Sequence, residues 1–531
     1  MSENWSSGYV TELDYTYGFY KELAPVHMRF AALAKGFHSH TDATDGLTYC
    51  ELGCGQGFTA NILAAANPEI DIYATDFNPV HAYNAQRLAD EAGLSNVHFF
   101  DDSFADFEQR TDLPQFNIIS LHGIYSWVAK EHRDTIVRFI AKRLKPGGLV
   151  YISYNCLPGW AGPSPIQNLI RMHAERGAGS LAERMDGAMA FLEKLQEEGA
   201  RYFKATARID DRIKDMKDKE KNYLAHEYLN RDWHAFYQSE VVAELSPARL
   251  SYLCTADILH QLDDINFTPS QMAILDQAPD SAFRETVQDY IVNRQFRKDI
   301  FARGAIALST PELREAWLDT GFALSQLGVD IPMKTNGGLG EVALQKDAYW
   351  PVIHAIEEAG GHASLRDIVK DKTIARLGWA RLQRVLCILV GSGYAHPCPS
   401  GAFDIDTRKE SASRLNKAIL KQALHSDRLK FLASPVTGGG IRVDHLSRIF
   451  LHSQQEKERD PVAFSWRILK QQGKNLTKNG EVLKTDEENI RVLAEKHSQF
   501  LQKNLPILQR LGIAMSTSGP ALERGPIHQS L

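Results

Sequence analysis

The sequence lacks long apolar runs, an excess of positive charge and the cysteine spacing of a metal site. No stretch of its 531 residues approaches the roughly 20 consecutive apolar residues of a membrane span, so we expect no membrane insertion. The formal net charge of −6 offers no electrostatic basis for nucleic acid as a partner. The six cysteines form no CxxC pair, which predicts buried free thiols and no bound metal.

A secretory signal is also missing. The segment 1–20 is polar and aromatic, with no basic part followed by an apolar run, so the cytoplasm is the expected location. Apolar content of 44% and charged content of 24% are typical of a globular protein. A chain of 531 residues exceeds what one hydrophobic core organises, and its length predicts about three or four domains.

What is present is an alternation of strands and helices. Between Thr48 and Asn155, short apolar runs alternate with helical stretches, which is typical of the βαβ units of a parallel sheet. A turn at Lys145-Pro146-Gly147-Gly148 precedes the fifth strand. The predicted strands are Leu47–Leu52, Ile70–Thr75, Val97–Phe100, Asn117–His122 and Leu149–Tyr154, and Arg249–Cys254 and Gln295–Ala302 are candidates to complete the sheet. The expected fold is an α/β, Rossmann-like sheet.

The later part of the chain predicts further domains. Residues 163–235 are mostly helical, and a unit beginning near Asp347 combines three helices with an extended segment in a winged-helix-like arrangement. A hairpin turn at Asn479-Gly480 and a capping box from Thr485 to Glu488 indicate a C-terminal α+β domain. If the middle unit bound DNA, the recognition positions on its third helix would be Arg376, Arg381 and Arg384. The acidic chain favours the alternative, a structural or dimer-forming module.

A glycine-rich loop is the first candidate functional element. The sequence Glu51-Leu52-Gly53-Cys54-Gly55-Gln56-Gly57 leaves a strand and enters a helix. A dinucleotide-binding loop would use GxGxxG spacing to set a pyrophosphate on the helix N-terminus. Here the third glycine comes one residue early, and the carboxylate of Glu51 would repel a pyrophosphate but suits the ammonium of a methionine moiety. The loop therefore favours S-adenosylmethionine over NAD, with Glu51, Gly53, Gly55 and Gly57 as cofactor-binding residues.

Acidic residues follow the second and third strands. Asp76 lies roughly 20 residues beyond the loop, where a carboxylate is placed to accept from both ribose hydroxyls. Asp102 could accept from the adenine amino group. Alone, such an aspartate is often only a helix cap, but in this order, at these strand ends, the residues predict a cofactor crevice at the carboxyl edge of the sheet. The predicted cofactor site also includes Phe77, Ser103 and His122.

The segments after the fourth and fifth strands are candidates for the methyl-acceptor site. His122-Gly123-Ile124-Tyr125-Ser126-Trp127 lacks the Asn/Asp-Pro-Pro-aromatic signature of many DNA and amide N-methyltransferases. Aromatic faces stabilise a sulfonium or a lysine ammonium by up to about 2 kcal/mol when desolvated. The candidate catalytic or acceptor-site residues are His122, Tyr125, Tyr154 and Trp160, with packing in the core as the alternative for each. A further cluster could cover the cofactor as a lid, namely Tyr15, Tyr17, Phe19 and Tyr20.

Longer segments carry a more specific pattern. They are Tyr17–Pro25, Glu51–Gly57, His122–Trp127, Lys145–Asn155, Pro158–Trp160, His226–Asn230 and Leu432–Gly438. These segments resemble a bacterial family of class I methyltransferases with a methyltransferase regulatory domain, whose characterised members are rickettsial protein-lysine methyltransferases acting on an outer-membrane protein. The resemblance covers most of the chain and makes a homodimer plausible, but it does not carry over the substrate.

Combined with the strand pattern, the resemblance implies five regions. They are an S-adenosylmethionine-binding domain (1–162), a helical insertion (163–224), a regulatory region that completes the sheet (225–305), a winged-helix-like middle domain (306–408) and a C-terminal domain (409–531).

The leading hypothesis is an S-adenosylmethionine-dependent methyltransferase acting on protein side chains, with lysine as the acceptor. A lysine must lose a proton before it reacts, at a cost of roughly 4–5 kcal/mol at pH 7, and a tyrosine or a carboxylate could accept that proton. One alternative is a small-molecule or lipid methyltransferase. Another is a non-catalytic protein that binds the cofactor and acts through its C-terminal half.

Overall fold

The computed structural model describes residues 16–38, 46–399 and 404–515. Tyr15, which the sequence placed in a candidate lid, and the outer ends of the predicted domains 1–162 and 409–531 lie outside the described residues. Within the described residues, no helix combines the length and the apolar content that crossing a bilayer requires.

The first part of the chain alternates strands and helices as the sequence predicted. The elements are α1 (Pro25–Ala34), β1 (Phe37–His38), β2 (Leu47–Leu52), α2 (Phe58–Ala66), β3 (Ile70–Thr75), α3 (Pro79–Ala92), β4 (Val97–Phe100), α4 (Phe104–Gln109), β5 (Phe116–Leu121), α5 (Lys130–Arg143) and β6 (Leu144–Asn155). Local chemistry sets the ends of α3, because the side chain of Asn78 accepts from the amide of Val80 and Gly93 closes the helix with φ of +61°.

A helical region and the last two strands of the main sheet follow. The helices of this region are α6 (Ser164–Arg176), α7 (Leu181–Glu197), α8 (Arg201–Ala205), α9 (Ile209–Lys217) and α10 (Lys221–Tyr228), and α10 crosses the expected boundary at 224. The next elements are α11 (Gln238–Leu245), β7 (Ser251–Thr255), α12 (Asp263–Asn266), α13 (Pro269–Leu275), α14 (Ser281–Val292) and β8 (Phe296–Ala302). The insertion has its own apolar core, in which Trp160 packs with residues such as Ile166, Leu192 and Ile213.

Seven strands of the described chain form one sheet in the order β4-β3-β2-β5-β6-β8-β7. The five strands β4, β3, β2, β5 and β6 are parallel to one another, whereas β8 runs antiparallel to both β6 and β7. This arrangement confirms the predicted α/β, Rossmann-like sheet and its completion by the two later strands. The order of the strands reverses between β2 and β5, and such sheets bind ligands in the crevice at that point.

The segment Lys145–Gly148 differs from its prediction. The sequence placed a turn there, but the segment lies within β6 as an irregularity in the pairing with β5. Phe116 pairs with Leu144 and Ile118 with Leu149, so the extra residues bulge out, and Gly147 has φ of +79°.

Helices and short strands alternate in the part of the chain for which we expected a winged-helix-like middle domain. Its elements are β9 (Ile306–Ala307), α15 (Thr310–Asp319), β10 (Gly321–Leu324), β11 (Lys334–Gly337), β12 (Gly340–Ala343), α16 (Lys346–Glu358), β13 (His362–Ser364), α17 (Leu365–Ile368), α18 (Lys372–Ala375), α19 (Trp379–Gly391) and β14 (Ala395–Cys398). The predicted third helix is split at Gly378, which has φ of +80°. Strand β10, which precedes the predicted start near Asp347, pairs with both β13 and β14. Two of the candidate DNA-contacting arginines are engaged within the protein, because Arg381 and Arg384 donate to Asp347 and Asp264.

The C-terminal domain is helical with two small hairpins. Its elements are α20 (Ile405–Ala423), β15 (Phe431–Ser434), β16 (Gly439–Arg442), α21 (His445–Gln455), α22 (Pro461–Gln471), β17 (Thr477–Lys478), β18 (Glu481–Val482), α23 (Asp486–Gln499) and α24 (Leu505–Arg510). The predicted turn at Asn479-Gly480 joins β17 to β18, and the predicted capping box from Thr485 to Glu488 starts α23.

The C-terminal domain packs directly on the Rossmann-like domain. All nine residues of α2 are buried, because the sheet covers one side of the helix and α20 and the β15–β16 hairpin cover the other. The amide of Asn67 donates to the carbonyl of Gly438 over 3.0 Å. The same hairpin holds the chain before α1, since the rings of Phe19 and Phe431 lie 5.6 Å apart. The C-terminal domain therefore shapes the segment that leads into the first helix.

Candidate active site

The loop between β2 and α2 has a left-handed backbone at three glycines. Gly53, Gly55 and Gly57 have φ of +73°, +53° and +60°, which residues with side chains rarely adopt. A Cβ atom on Gly57 would lie 2.4 Å from the Cβ of Ala85, and one on Gly53 would lie 2.2 Å from Cδ1 of Ile124. Glycine is therefore required for this loop to pack against α3 and against the segment after β5.

A first cavity, the cofactor cavity, opens at the carboxyl ends of the parallel strands next to this loop. The residues of the predicted cofactor site that line it are Gly53, Gly55, Asp76, Phe77, Asp102, Ser103 and His122. Glu51 and Gly57 lie next to these residues but do not line the cavity. Lining residues that the sequence did not predict are His81, Phe104, Gly123, Ile124, Trp127, Val128, Ala129, His132 and Asp232.

Asp76 links the glycine loop to the start of α3. Its carboxylate accepts from the backbone amide of Gly55 over 2.9 Å and from that of Asn78 over 3.0 Å. The ring of His81 lies 3.1 Å from the same carboxylate. These contacts fix the orientation of the carboxylate and occupy up to three of its roughly four lone-pair sites. At least one site is left to accept a hydrogen bond from a ligand.

Glu51 is a buried carboxyl group at the end of β2. Its side chain is 5% exposed, and its Oε2 atom has no hydrogen-bond partner among the described residues. Burial, together with the nearby charge of Asp76, raises the pKa of Glu51 to about 8. A carboxyl group in this position is stabilised as an anion when a cation binds beside it.

Asp102 and Ser103 follow β4 and have partners of their own. One carboxylate oxygen of Asp102 accepts from Arg110 over 2.9 Å, and the guanidinium of Arg110 lies over the ring of Phe100. The hydroxyl of Ser103 accepts from the amide of Asp106 at the start of α4. Asp102 thus keeps one oxygen for a ligand, whereas the Ser103 hydroxyl serves as a helix cap.

His122 stands at the wall between the cofactor cavity and a second cavity. Its Nδ1 atom lies 2.8 Å from the hydroxyl of Tyr151, and its ring stacks on that of Tyr20 with centroids 3.8 Å apart. Burial lowers the pKa of His122 to about 3. The imidazole is therefore neutral at physiological pH and adds no positive charge to the wall.

The second cavity, the acceptor cavity, lies on the other side of His122 and has a volume of about 390 Å³. It shares His122, Gly123 and Trp127 with the cofactor cavity. Its aromatic lining residues are Tyr20, Trp127, Trp160, Tyr223 and Phe296, and its other lining residues are Asn155, Arg212, His226, Glu227, Gln295 and Lys298. The indole N–H of Trp127 is buried and has no hydrogen-bond partner among the described residues.

Glu227, on α10, is the carboxyl group in the lining of the acceptor cavity. Burial raises its pKa to about 7, although the cation of Arg212 and the amide of Asn155 act in the opposite direction. A carboxyl group with this pKa exists in both protonation states near neutral pH. It can therefore accept a proton from a ligand in the cavity and release it again.

Comparison with known proteins identifies the family. A methyltransferase domain model matches residues 50–150, and a model described as a predicted methyltransferase regulatory domain matches residues 220–303. An uncharacterized protein of Synechocystis is 40% identical over 96% of this chain and 100% of its own length. The chain belongs to this methyltransferase family. It is an S-adenosylmethionine-dependent methyltransferase, and S-adenosylmethionine is its cofactor.

Two solved structures share the fold of this chain over almost its whole length. The structure of PKMT2 from Rickettsia typhi in complex with AdoHcy superposes with a TM-score of 0.69 at 18% identity and covers 94% of this chain and 100% of that one. A second structure of PKMT2 from Rickettsia typhi gives a TM-score of 0.65 at 17% identity, with coverage of 93% and 99%. The added helical regions and the C-terminal domain therefore belong to the shared fold.

The residues beside the glycine loop fit S-adenosylmethionine. The orphaned carboxyl oxygen of Glu51 matches an ammonium group, and the remaining lone-pair site of Asp76 matches a hydroxyl group. The neutral ring of His122 avoids repulsion of a sulfonium. Among the described residues, no group of three or more His, Cys, Asp or Glu side chains is arranged to hold a metal ion.

The four candidate acceptor-site residues separate into two pairs. His122 and Trp160 line the acceptor cavity. Tyr125 and Tyr154 do not line either cavity, because both rings are fully buried in the core on the other face of the sheet. Their hydroxyls donate to Glu244 and Asp299, each over 2.6 Å.

The placement of Tyr154 follows from the period of a strand. Successive side chains of β6 point to opposite faces of the sheet. Tyr151 bonds His122, the hydroxyl of Ser153 accepts from the amide of Gly123, and Asn155 lines the acceptor cavity, so the odd-numbered residues face the site. Tyr154 consequently faces the core.

Sequence analysis missed Glu227, Arg212 and Tyr223, which come to the acceptor cavity from the helices that follow the sheet. Glu227 lies in the segment His226–Asn230, which carries part of the resemblance to the family. The region matched as a regulatory domain thus supplies part of the wall of the acceptor cavity.

Proposed function

We propose that this methyltransferase transfers a methyl group to the side-chain amine of lysine in a protein. The observation that carries the proposal is the position of Glu227, a carboxyl group in an aromatic cavity that shares the wall at His122 and Gly123 with the cofactor cavity. An amine in the acceptor cavity has a proton acceptor on one side and the cofactor on the other.

On the cofactor side, three residues have distinct proposed roles. Glu51 binds the ammonium group, Asp76 accepts from the ribose hydroxyls, and the free carboxylate oxygen of Asp102 accepts from the adenine amino group. The left-handed glycines bring backbone close to the ligand without Cβ atoms in the way. When bound, S-adenosylmethionine supplies an electrophilic methyl group on a sulfonium.

On the acceptor side, the residues bind and deprotonate the amine. A lysine ammonium is stabilised by the aromatic walls of the acceptor cavity, among them Tyr20 and Trp160. Loss of its proton at pH 7 costs about 4–5 kcal/mol when it is unperturbed, and Glu227 reduces this cost by accepting the proton. Positioning of the neutral amine against the shared wall then supplies much of the rate.

A protein substrate and a homodimer are parts of the same proposal. The segments that resemble the family include residues of both cavities, such as Tyr20, His122 and Glu227, and the characterised members of that family act on protein lysines. We also retain the five regions with boundaries at 162, 224, 305 and 408. In this division the insertion 163–224 and the regulatory region 225–305 contribute to the acceptor cavity.

The test is transfer of label from radioactive S-adenosylmethionine to a bacterial extract by the purified enzyme, followed by mass spectrometry of the labelled products. We expect label on lysine side chains of proteins. Label confined to small molecules or lipids would overturn the proposal. If the enzyme consumes no labelled cofactor, the proposal also fails, and the protein is a non-catalytic one. The Glu227→Gln variant should label little, whereas Glu220→Gln, which changes an exposed carboxylate just before the same helix, should label normally.

A further inference from the structure

The acceptor cavity holds a cation that the proposed amine chemistry does not use. Its lining contains two cationic side chains, Lys298 and Arg212. The ammonium of Lys298 is paired with the carboxylate of Glu22 over 2.6 Å, and it holds the pKa of that buried carboxyl at about 2 although burial alone would raise it. Lys298 is therefore neutralised within the protein. Arg212 is not.

Arg212 is held by neutral groups. Its guanidinium lies 3.8 Å from the centroid of the Trp160 ring. Its Nη1 donates to Oε1 of Gln295 over 3.1 Å, and its Nη2 donates to the hydroxyl of Tyr228 over 2.9 Å. No carboxylate in the described parts of the chain forms an ion pair with it, and its buried Nε has no hydrogen-bond partner there. Trp160, Gln295 and Tyr228 thus hold the guanidinium without neutralising it.

This arrangement is suited to an anion. A guanidinium has five N–H donors in a planar fork, and the two contacts leave one N–H free on each of Nη1 and Nη2. Arginine binds carboxylates in bidentate fashion, and a fork already fixed by an aromatic face and two acceptors loses little freedom when it does so.

Glu227 is the nearby carboxyl group that could act as an internal partner. The two side chains line the same cavity, and the charge of Arg212 lowers the pKa of Glu227, yet no hydrogen bond joins them. The cavity therefore presents a proton acceptor and a cation at separate positions. A ligand with an amine and a carboxylate matches both.

We propose that Arg212 is a specificity-determining residue that binds a carboxylate near the acceptor nitrogen of the substrate. This inference rests on the proposed amine methylation. The same chemistry has two sources, an acidic side chain next to the target lysine of a protein, or the α-carboxylate of a free amino acid. In both cases the carboxylate holds the acceptor while the amine faces Glu227 and the shared wall.

The test compares acceptors that differ in one carboxylate. Two peptide pools have a central lysine, and each flanking position carries aspartate in one pool and asparagine in the other. The second arm compares free lysine with lysinamide. We expect the wild type to favour the carboxylate member of one pair by about 10- to 100-fold in kcat/KM, mainly through KM, as expected for hydrogen bonds to a charged group. The arm that shows the preference identifies the source.

Variants separate recognition from folding. Arg212→Gln should bring the ratio within each pair close to one, and Arg212→Glu should favour the neutral acceptor. The matched control is Arg208→Gln, which removes an exposed arginine at the start of the same helix and should keep the wild-type preference. Melting temperatures and cofactor affinity report whether each variant is folded.

Two results would overturn the assignment. They are a wild type that treats both members of each pair alike, and a carboxylate preference that persists in Arg212→Gln. If the wild type methylates no lysine nitrogen in either arm, the proposed function fails first and the role of Arg212 fails with it.

Discussion

The ring of Tyr20 stacks on the imidazole of His122, with the ring planes inclined by 31°. This pair connects the segment before α1 to the wall shared by the cofactor and acceptor cavities. The hydroxyl of Tyr151 contacts the Nδ1 edge of the imidazole, and the ring of Tyr20 covers one of its faces. Together the two tyrosines fix the orientation of His122.

Replacing Tyr20 tests whether this stacking supports catalysis. An aromatic pair contributes about 0.5–1.5 kcal/mol beyond its buried area, so Tyr20→Ala should reduce single-turnover methylation by roughly 2- to 10-fold. Tyr20→Phe keeps the ring and should stay near the wild-type rate. Equal loss of rate in both variants would show that the hydroxyl, not the stacked ring, supports the reaction.

The Glu51→Gln variant should bind the cofactor less tightly. Removing one charged partner of the ammonium costs about 1.5–3 kcal/mol, which corresponds to a Kd for S-adenosylmethionine weaker by roughly 10- to 100-fold in calorimetry. Glu91→Gln changes an exposed carboxylate on α3 and serves as the control. An unchanged affinity of Glu51→Gln would contradict the assignment of Glu51.

The same substitution should stabilise the protein without cofactor. The pKa of Glu51 rises from 4.5 to about 8 on folding, so the folded state binds more protons than the unfolded state between these values. The free energy of unfolding therefore falls as the pH rises through that window. At pH 7 the loss relative to pH values below 4.5 is on the order of 3 kcal/mol. Thermal unfolding at pH 7 should show a higher melting temperature for Glu51→Gln, and the difference should shrink toward pH 5. A lower melting temperature at pH 7 would contradict the raised pKa.

Asp76→Asn should also weaken cofactor binding by at least about tenfold, because the amide has one acceptor oxygen and no charge. Fluorescence or calorimetric titration with S-adenosylmethionine measures the effect. Asp71→Asn, at an exposed position on the strand that leads to Asp76, is the matched control. Retention of wild-type affinity by Asp76→Asn would remove the ribose role from this residue.

The pH profile should separate the wild type from Glu227→Gln. The carboxylate form of Glu227 is populated above its pKa of about 7, so wild-type kcat/KM for a lysine peptide should rise up to that pH and then level off. In Glu227→Gln only the neutral lysine reacts, and kcat/KM should be about 10²–10⁴-fold lower near pH 7. It should then keep rising through pH 9, because the lysine pKa is about 10.4. Identical profiles would show that Glu227 does not accept the proton.

The sheet and the cofactor loop were predictable because local rules dominate there. Strands buried on both faces are apolar throughout, as in Leu149–Ile152, and an early third glycine is visible in the sequence itself. The acceptor cavity was harder to predict, since Glu227 and Arg212 reach it from helices whose approach to the sheet depends on tertiary packing. Tyr154 shows a second cause. Side chains alternate between the two faces of a strand, so a shift of one residue decides whether a side chain faces the site or the core.

Two arginines on α19 illustrate what the spacing of a motif does not predict. The positions of Arg381 and Arg384 on α19 match those of a recognition helix, but spacing alone does not reveal the partners of a charge. Asp347 and Asp264 neutralise them in the folded chain, and Asp264 comes from a region more than a hundred residues earlier.

The contact between Phe19 and the hairpin of β15 and β16 has a consequence for biosynthesis. A ribosome makes the chain from its N-terminus at about 5–20 residues per second, so roughly 20–80 s separate the synthesis of Phe19 from that of its partner Phe431. During that interval the Rossmann-like domain emerges without the surface that holds the segment leading to Tyr20. The nascent chain therefore completes its active site only near the end of translation, and a prematurely terminated product lacks the support on which Tyr20 depends.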